Sequence, residues 1–206
     1  MKKNLAIIGM IGIMASNANA VEDKNLYLGF GLSKGSGTQT REYANTYYTY
    51  PGTYTTDYDA SGKTLKLGYI FESKNRFEFS ISTFDAKRTA GNSFAMNTND
   101  TQNSKFVGYD LDWLFTFRNK EALQPYLGVG FGIYKDNDID GYNTTTHSTE
   151  TVTGLALNLM GGATYHFNDT FELEAAYKSK YIGWNLENPD MKENIGSLYF
   201  GANIKF

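Results

Sequence analysis

Cysteine is absent from the sequence, and proline and histidine are scarce, with 3 and 2 copies among 206 residues. Without cysteine the chain has no disulfides, no thiolate metal ligands and no cysteine nucleophile. The formal net charge is only −3 and the basic residues are scattered, so nothing predicts a nucleic-acid partner. Scarce proline together with abundant aromatic residues and glycine favours strands joined by turns.

The longest apolar stretch lies near the start of the chain, at residues 5–14, shortly after two lysines. It is too short to cross a bilayer as a helix, which needs roughly 20 residues. Ala18 and Ala20 follow it in the small-x-small pattern of a signal-peptidase site. The sequence therefore predicts a cleaved signal peptide over residues 1–20 and a single domain over residues 21–206.

The rest of the chain alternates between apolar residues and polar or small ones. In the run from Leu127 to Ile133, four apolar residues alternate with three glycines. A period of two is the pattern of a strand with one apolar face. The connections are alternately long and short: 34–62, 85–104, 135–152 and 180–194 are long and polar, whereas 72–76, 118–124 and 168–170 are short. This pattern predicts an all-β fold, an antiparallel up-and-down β-barrel of about eight strands.

The apolar face carries a large side chain at nearly every position, which is too much bulk for the inside of an eight-stranded barrel. We therefore expect that face to contact lipid, in strands of roughly 9–11 residues that cross a membrane at a tilt. A soluble barrel with the two faces reversed is the alternative. The opposite face carries charges of both signs, which predict an interior plug of ion pairs with Glu172 near Lys205. These charged residues are Lys66, Glu78, Asp110, Asp112, Glu172, Glu174, Lys178 and Lys205.

Aromatic residues gather beside the predicted short turns, as expected for the girdle of a membrane barrel at the lipid–water interface. They are Phe71, Phe77, Phe117, Phe167, Phe171 and Phe206.

Three stretches carry a resemblance to a known family: the terminal strand 198–206, the strand entry 125–130 and the hairpin 165–173. They resemble the OmpA/OmpX-type outer-membrane β-barrel proteins, and the similarity extends over residues 21–206. The terminal phenylalanine with alternating apolar residues is similar to the family's barrel-assembly signal. Its members here are Leu198, Phe200, Ile204 and Phe206.

The resemblance implies a porin-like protein of the Gram-negative outer membrane, without a cofactor, that is not an enzyme. It implies contact with outer-membrane lipid and lipopolysaccharide, periplasmic chaperones and the barrel-assembly machinery. The implied roles are envelope structure or surface attachment to a host or matrix ligand. A small solute channel and a lipid A-modifying enzyme remain alternatives. No catalytic residue is assigned, because His166 lies near a short turn and His147 has no recognisable partner.

The first long connection is rich in tyrosine, and Tyr47, Tyr48, Tyr50 and Tyr54 are its candidate binding residues. Tyrosine is favoured at recognition surfaces because it offers a large contact area at small entropic cost. Alternation on both sides of Pro51-Gly52 predicts a twisted ribbon whose two arms meet at that turn. A connection that only shields the mouth of the barrel is the alternative.

Asp136, Asp138 and Asp140 precede Gly141 in the spacing that opens a calcium-binding loop. The twelfth position holds His147 where such a loop needs a bidentate glutamate, and the flanking segments are predicted strands. These aspartates are thus a weak calcium candidate, with a solvated acidic loop as the alternative.

Overall fold

The computed structural model describes residues 25–43, 52–71, 75–91, 103–117, 122–140, 149–185 and 190–206. The predicted signal peptide, with Ala18 and Ala20, lies outside these residues. No helix of the described residues is long and apolar enough to cross a membrane. The strands are β1 (Leu26–Tyr43), β2 (Gly52–Ile70), β3 (Arg76–Gly91), β4 (Asn103–Thr116), β5 (Leu123–Asp140), β6 (Thr149–His166), β7 (Phe171–Trp184) and β8 (Asp190–Lys205).

The eight strands form a closed barrel in chain order. Each strand pairs antiparallel with the next, and β1 closes against β8 with Leu32 opposite Phe200. Closure gives every strand a hydrogen-bonded neighbour on both sides, which satisfies its backbone groups without water. The predicted all-β antiparallel barrel is confirmed.

The large apolar side chains point away from the barrel axis. Phe131 and Leu155 are 64% and 71% exposed, whereas the charged Lys66 is 1% exposed. A protein in water buries its apolar side chains, so this arrangement fits an apolar solvent around the wall. The apolar band, meaning the zone of outward large apolar side chains, extends along each strand from the short turns to Leu32, Leu65, Ile81, Val107, Ile133, Leu155, Tyr181 and Leu198.

The strands are 14 to 19 residues long, so the prediction of roughly 9–11 residues is wrong. Much of the sequence between 34 and 62 that was assigned to a connection belongs to β1 and β2. The ladder continues because the alternation persists beyond the apolar band with its polarity reversed. There the inward residues are apolar, such as Phe84 and Phe106, and the outward ones are polar.

The predicted aromatic girdle lies at the end of the barrel that carries the short turns. Phe71 stacks on Trp113 with ring centroids 5.3 Å apart, and Phe167 lies 5.8 Å from Phe171. The turn between β6 and β7 is closed by Asn168, whose side-chain oxygen accepts from the Phe171 amide at 2.7 Å. This end of the wall therefore presents packed rings to the interface.

Candidate functional site

The interior nearest the short turns is filled by charged side chains in contact with one another. Lys66 donates to Glu78 at 2.8 Å and also to Glu174. The Tyr27 and Tyr126 hydroxyls donate to the same two carboxylates, Tyr27 to Glu78 and Tyr126 to Glu174. Each charge is thus surrounded by partners, as a buried ion requires.

A second group of ion pairs centres on Glu172. Arg76 Nη1 lies 2.7 Å from one carboxylate oxygen of Glu172. His166 Nδ1 and Lys205 Nζ lie 2.9 Å and 3.1 Å from the other. The predicted proximity of Glu172 and Lys205 is confirmed, although their backbones are diagonal neighbours, since Glu172 pairs with Asn203.

A third group centres on Asp110, about halfway along the barrel. Lys180 Nζ lies 2.8 Å from Asp110 Oδ2, and the Tyr134 hydroxyl donates to the same oxygen at 2.8 Å. The Asn158 amide bridges Asp110 and Asp112 at 2.9 Å and 3.0 Å. We call the three groups together the charged plug.

Glycines and tyrosines complete the charged plug. A Cβ on Gly130 would collide with Asp112, and one on Gly29 would collide with Asn203. Lys178 lies over the Tyr199 ring, 4.0 Å from its centroid.

The predicted inward charges are all buried, as expected for residues on the polar face of the alternating strands. Sequence reasoning missed Arg76 and Lys180, although Arg76 shares the parity of Glu78 and Lys180 that of Lys178.

Beyond the charged plug the interior is apolar. Phe84 stacks on Phe106 with centroids 5.1 Å apart, and Trp184 meets Phe106 edge-on at 6.3 Å. Tyr134 joins the two regions, because its ring packs against Phe106 while its hydroxyl binds Asp110. This apolar core consists of Tyr58, Ala60, Phe84, Ala86, Phe106, Tyr134, Val152, Ala156, Ile182, Trp184, Met191 and Ile195.

One carboxyl group is buried at the edge of the apolar core. The Trp184 indole donates to Glu193 Oε2 at 2.8 Å. Glu193 lies beyond the apolar band of β8, which ends at Leu198. Burial raises the pKa of Glu193 to about 7, and the negative charge of nearby Asp136 adds to the increase. This carboxyl therefore titrates near neutral pH.

The aspartates proposed for calcium binding lie in a strand, so their assignment to the connection 135–152 is wrong. Asp136 is in β5, buried at 2% exposure, and β5 continues to Asp140. The register with β6 shifts between Asp136 and Ile139. Among the residues with described side chains, no cluster could hold a metal ion, but Asp138 and Asp140 fall outside that set. Calcium binding stays a prediction.

The tyrosine-rich segment is only partly described. Tyr47, Tyr48 and Tyr50 lie outside the described residues, and of Tyr54 only the backbone is described, paired with Arg41. The β1–β2 ladder ends where Tyr43 pairs with Gly52, so residues 44–51 connect the arms. The predicted ribbon is present, but Pro51-Gly52 is not the point where its arms meet, because Gly52 is already in the ladder.

The proposed assembly signal forms the seam of the barrel. Leu198, Phe200 and Ile204 point outward and are 56%, 63% and 54% exposed. The Phe206 amide donates to the Leu26 carbonyl at 2.9 Å, which fastens the chain end to β1. These residues thus lie where the last strand closes on the first; their role in assembly stays a prediction.

Comparison with known proteins identifies the family that has this architecture. The sequence profile of the outer membrane protein beta-barrel domain matches residues 5–206. The chain belongs to this family. It is a bacterial outer-membrane protein, a small eight-stranded barrel of the OmpA/OmpX type. A search of curated protein sequences finds no significant match.

Several solved barrels are similar to this outer-membrane barrel, and two of those described here, with TM-scores above 0.5, share its fold. Neisserial surface protein A is 17% identical, with 86% of this chain and 97% of that chain covered and a TM-score of 0.54. The outer membrane protein AlkL is 15% identical, with 91% of this chain and 92% of that chain covered and a TM-score of 0.55. The N-terminal barrel of OprF from Pseudomonas aeruginosa is 15% identical, with 88% of this chain and 98% of that chain covered and a TM-score of 0.46. At these identities the likeness concerns the fold alone.

Proposed function

We propose that this protein is a non-enzymatic surface-attachment barrel whose binding element is the extended β1–β2 ribbon. The observation that carries the proposal is the length of the ladder. From Lys34 to Tyr43, ten residues of β1 continue beyond the apolar band, paired with β2 as far as Gly52. At about 3.4 Å per residue this is roughly 30 Å of paired strand outside the lipid.

The chemistry of the segment joined to this ribbon supports recognition. Residues 44–51 connect the far ends of the two arms and include Tyr47, Tyr48 and Tyr50. When a rigid ribbon carries such a segment, its tyrosines lose less conformational entropy on binding a ligand. A protein or glycan of a host surface or matrix is the class of ligand that this composition suits.

The filled interior supports attachment over transport. Lys66, Arg76 and Glu172 are at most 1% exposed. Across the lumen Lys66 is bound to Glu174, and Arg76 is bound to Glu172. A solute channel would have to separate these ion pairs, and the apolar core would have to move as well. Larger barrels leave an aqueous channel because their diameter exceeds what side chains fill.

The position of His166 also favours a non-enzymatic role over lipid A modification. His166 contacts Glu172 and Lys205 beside the short turns, at the periplasmic end of the barrel. An enzyme acting on lipid A would need its catalytic histidine at the outer leaflet. His147 lies outside the described residues, so the lipid A-modifying enzyme remains the second candidate.

Replacing Tyr47, Tyr48, Tyr50 and Tyr54 by serine tests the attachment proposal. The matched control replaces the same residues by phenylalanine, which keeps most of the contact area. Both variants should keep the heat-dependent gel migration of a folded barrel and wild-type surface levels. Binding of whole cells to matrix proteins and cultured host cells should be lost in the serine variant and largely kept in the phenylalanine variant.

Undiminished adhesion of the serine variant would overturn the assignment of the ribbon. If the wild-type protein confers no adhesion, the attachment role itself is wrong and the envelope-structural role takes its place. A lipid A mass spectrum that changes on deletion of the gene would instead support the enzyme.

A further inference from the structure

Two carboxyl groups are buried in the outer half of the barrel interior, at the edge of the apolar core. Glu193 of β8 is 4% exposed and Asp136 of β5 is 2% exposed. The inward neighbours of Glu193 on its own strand, Met191 and Ile195, are apolar and completely buried. A charged carboxylate in such surroundings is costly unless it is well paired.

The groups that face Glu193 come from the strands around it. Trp184 of β7 donates its indole N–H to Glu193 Oε2 at 2.8 Å. Of the titratable groups, β1 contributes an arginine, β2 a tyrosine, and β5 a tyrosine and an aspartate, and a second arginine on β3 is paired with the β2 tyrosine. They are Arg41, Tyr58, Tyr134, Asp136 and Arg88, in that order.

This environment favours the protonated carboxyl. Burial raises the pKa of Glu193 to about 7, and the negative charge of Asp136 adds to the increase. Arg41 acts in the opposite direction, but its Nε donates to Gln39 at 2.8 Å. Ionisation of Glu193 therefore places a second negative charge in the apolar core, and contact with water would relieve the cost.

The nearest part of the wall that can open is the end of β7, residues 182–184. Trp184 forms the last pair with Gly154 of β6 and with Met191 of β8. Ile182 and Trp184 point inward and are 0% and 4% exposed. Gly183 points outward, and no heavy atom of the described residues lies within 4 Å of the position its Cβ would take. Side-chain packing therefore holds this segment from the inside only, and strand ends of this kind open locally at low cost.

We propose that residues 182–184 are a proton-controlled closure of the apolar core, which is shut while Glu193 carries its proton and opens when Glu193 ionises. Opening withdraws the Trp184 ring from Phe106 and admits water to the carboxylate. The closed form holds a proton that the open form releases, so a rise in pH favours opening. The proposal is independent of the attachment role of the β1–β2 ribbon.

Hydrogen exchange resolved by residue, with the barrel in lipid nanodiscs at pH 5 and pH 8, tests the proposal. The probe is the amide of Asn185, which donates to the Thr153 carbonyl at 2.9 Å and ties the end of β7 to β6. The quantity compared is the protection factor, the ratio of the intrinsic to the observed exchange rate. Glu193→Gln removes the titrating group, and Glu42→Gln, at an exposed carboxylate, is the matched control. Heat-dependent gel migration establishes that each variant is folded.

The protection factor of Asn185 in the wild-type protein should fall about 80-fold from pH 5 to pH 8. This factor follows from a pKa of about 7 in the closed form and about 4.3 in the open form. Glu42→Gln should show the same fall, and Glu193→Gln should show none. The Phe106 amide, across the core on β4, should stay better protected than Asn185 at both pH values.

An unchanged protection factor of Asn185 in the wild-type protein would overturn the proposal, and this measurement needs no variant to fold. An equal fall in Glu193→Gln would assign the opening to another group. Equal protection of Asn185 and Phe106 at pH 8 would mean that the outer half of the barrel opens as a whole, which would also overturn it.

Discussion

The two halves of the barrel interior have opposite polarity. Around the charged plug the wall is apolar outside and polar inside, with Phe131 64% exposed and Lys66 buried. Around the apolar core the wall is polar outside and apolar inside, with Asp85 exposed and Phe106 1% exposed. The same eight strands run through both regions. The solvent around the wall therefore decides which face of a strand is apolar, and the change of polarity marks the edge of the lipid.

The most destructive change within the charged plug is removal of its central cation. Lys66→Met leaves Glu78 and Glu174 buried without their ammonium partner. Removing one partner of a buried ion pair destabilises by about 3–5 kcal/mol. Urea unfolding in lipid vesicles should show a loss of this size, while Lys192→Met, which breaks an exposed pair with Asp190, should change stability by under about 1 kcal/mol. Equal small effects would mean that the plug is not a closed ion-pair network.

One substitution made on both sides of the lipid edge sharpens the comparison. Leu159→Arg puts a charge well inside the apolar band of β6, which costs about 2–4 kcal/mol near the bilayer midplane. Thr153→Arg puts the same charge on the same strand face beyond the band and should be close to neutral. Vesicle unfolding measures both. A comparable loss at Thr153 would place the edge of the lipid farther out than we have assigned it.

The buried Glu193 makes the apolar core sensitive to pH. Its folded pKa of about 7 lies above the usual glutamate value of about 4.3, so the folded state holds a proton that the unfolded chain releases. The contribution of this carboxyl to stability is therefore greatest below about pH 4.3, falls as pH rises and levels off above pH 7. Between pH 5 and 8 this group should remove roughly 2–3 kcal/mol.

Glu193→Gln should abolish that part of the pH dependence while keeping an oxygen that accepts from Trp184. Glu42→Gln, at an exposed carboxylate, is the matched control and should leave the dependence unchanged. Denaturant midpoints at pH 5 and 8 measure the difference. If the denaturant midpoint of the Glu193→Gln variant changed between pH 5 and 8 as much as that of wild type, the Glu193 carboxyl would be hydrated in the folded protein.

The smallest effect is expected on the outer wall beside the apolar core. Asp85→Asn removes a contact of 4.0 Å between two exposed side chains and should change stability by under about 0.5 kcal/mol. The same urea experiment measures it. A loss above about 1 kcal/mol would mean that this part of the wall is held by outer-face ion pairs rather than by the apolar core.

The charged plug was predictable because alternation fixes which residues share a face. Once the bulky residues are placed in lipid, the parity of Lys66 and Glu172 directs both inward, and the antiparallel pairing of β7 with β8 brings Lys205 beside Glu172. What alternation does not give is the set of partners across the lumen. The contacts of Lys66 with Glu174 and of Arg76 with Glu172 join residues about a hundred positions apart in the chain.

The apolar core was not predicted, and the reason lies in its reversed polarity. Phe84, Phe106 and Trp184 stand among outward residues such as Asp85 and Lys105, so these segments have the composition of polar connections. A search for strands with an apolar outer face ends at the edge of the lipid. A search for alternation of either polarity would have continued through Lys105 and Phe106 to the end of the ladder.

Site-directed spin labelling along β5 tests the reversal of polarity most directly, and the lack of cysteine makes the background clean. Single cysteines would replace Phe131, Ile133 and Lys135, which are successive outward residues. In lipid vesicles the labels at 131 and 133 should collide mainly with oxygen dissolved in the bilayer, and the label at 135 mainly with a water-soluble nickel complex. A water-accessible label at 131, or a lipid-exposed one at 135, would contradict a lipid edge between Ile133 and Lys135.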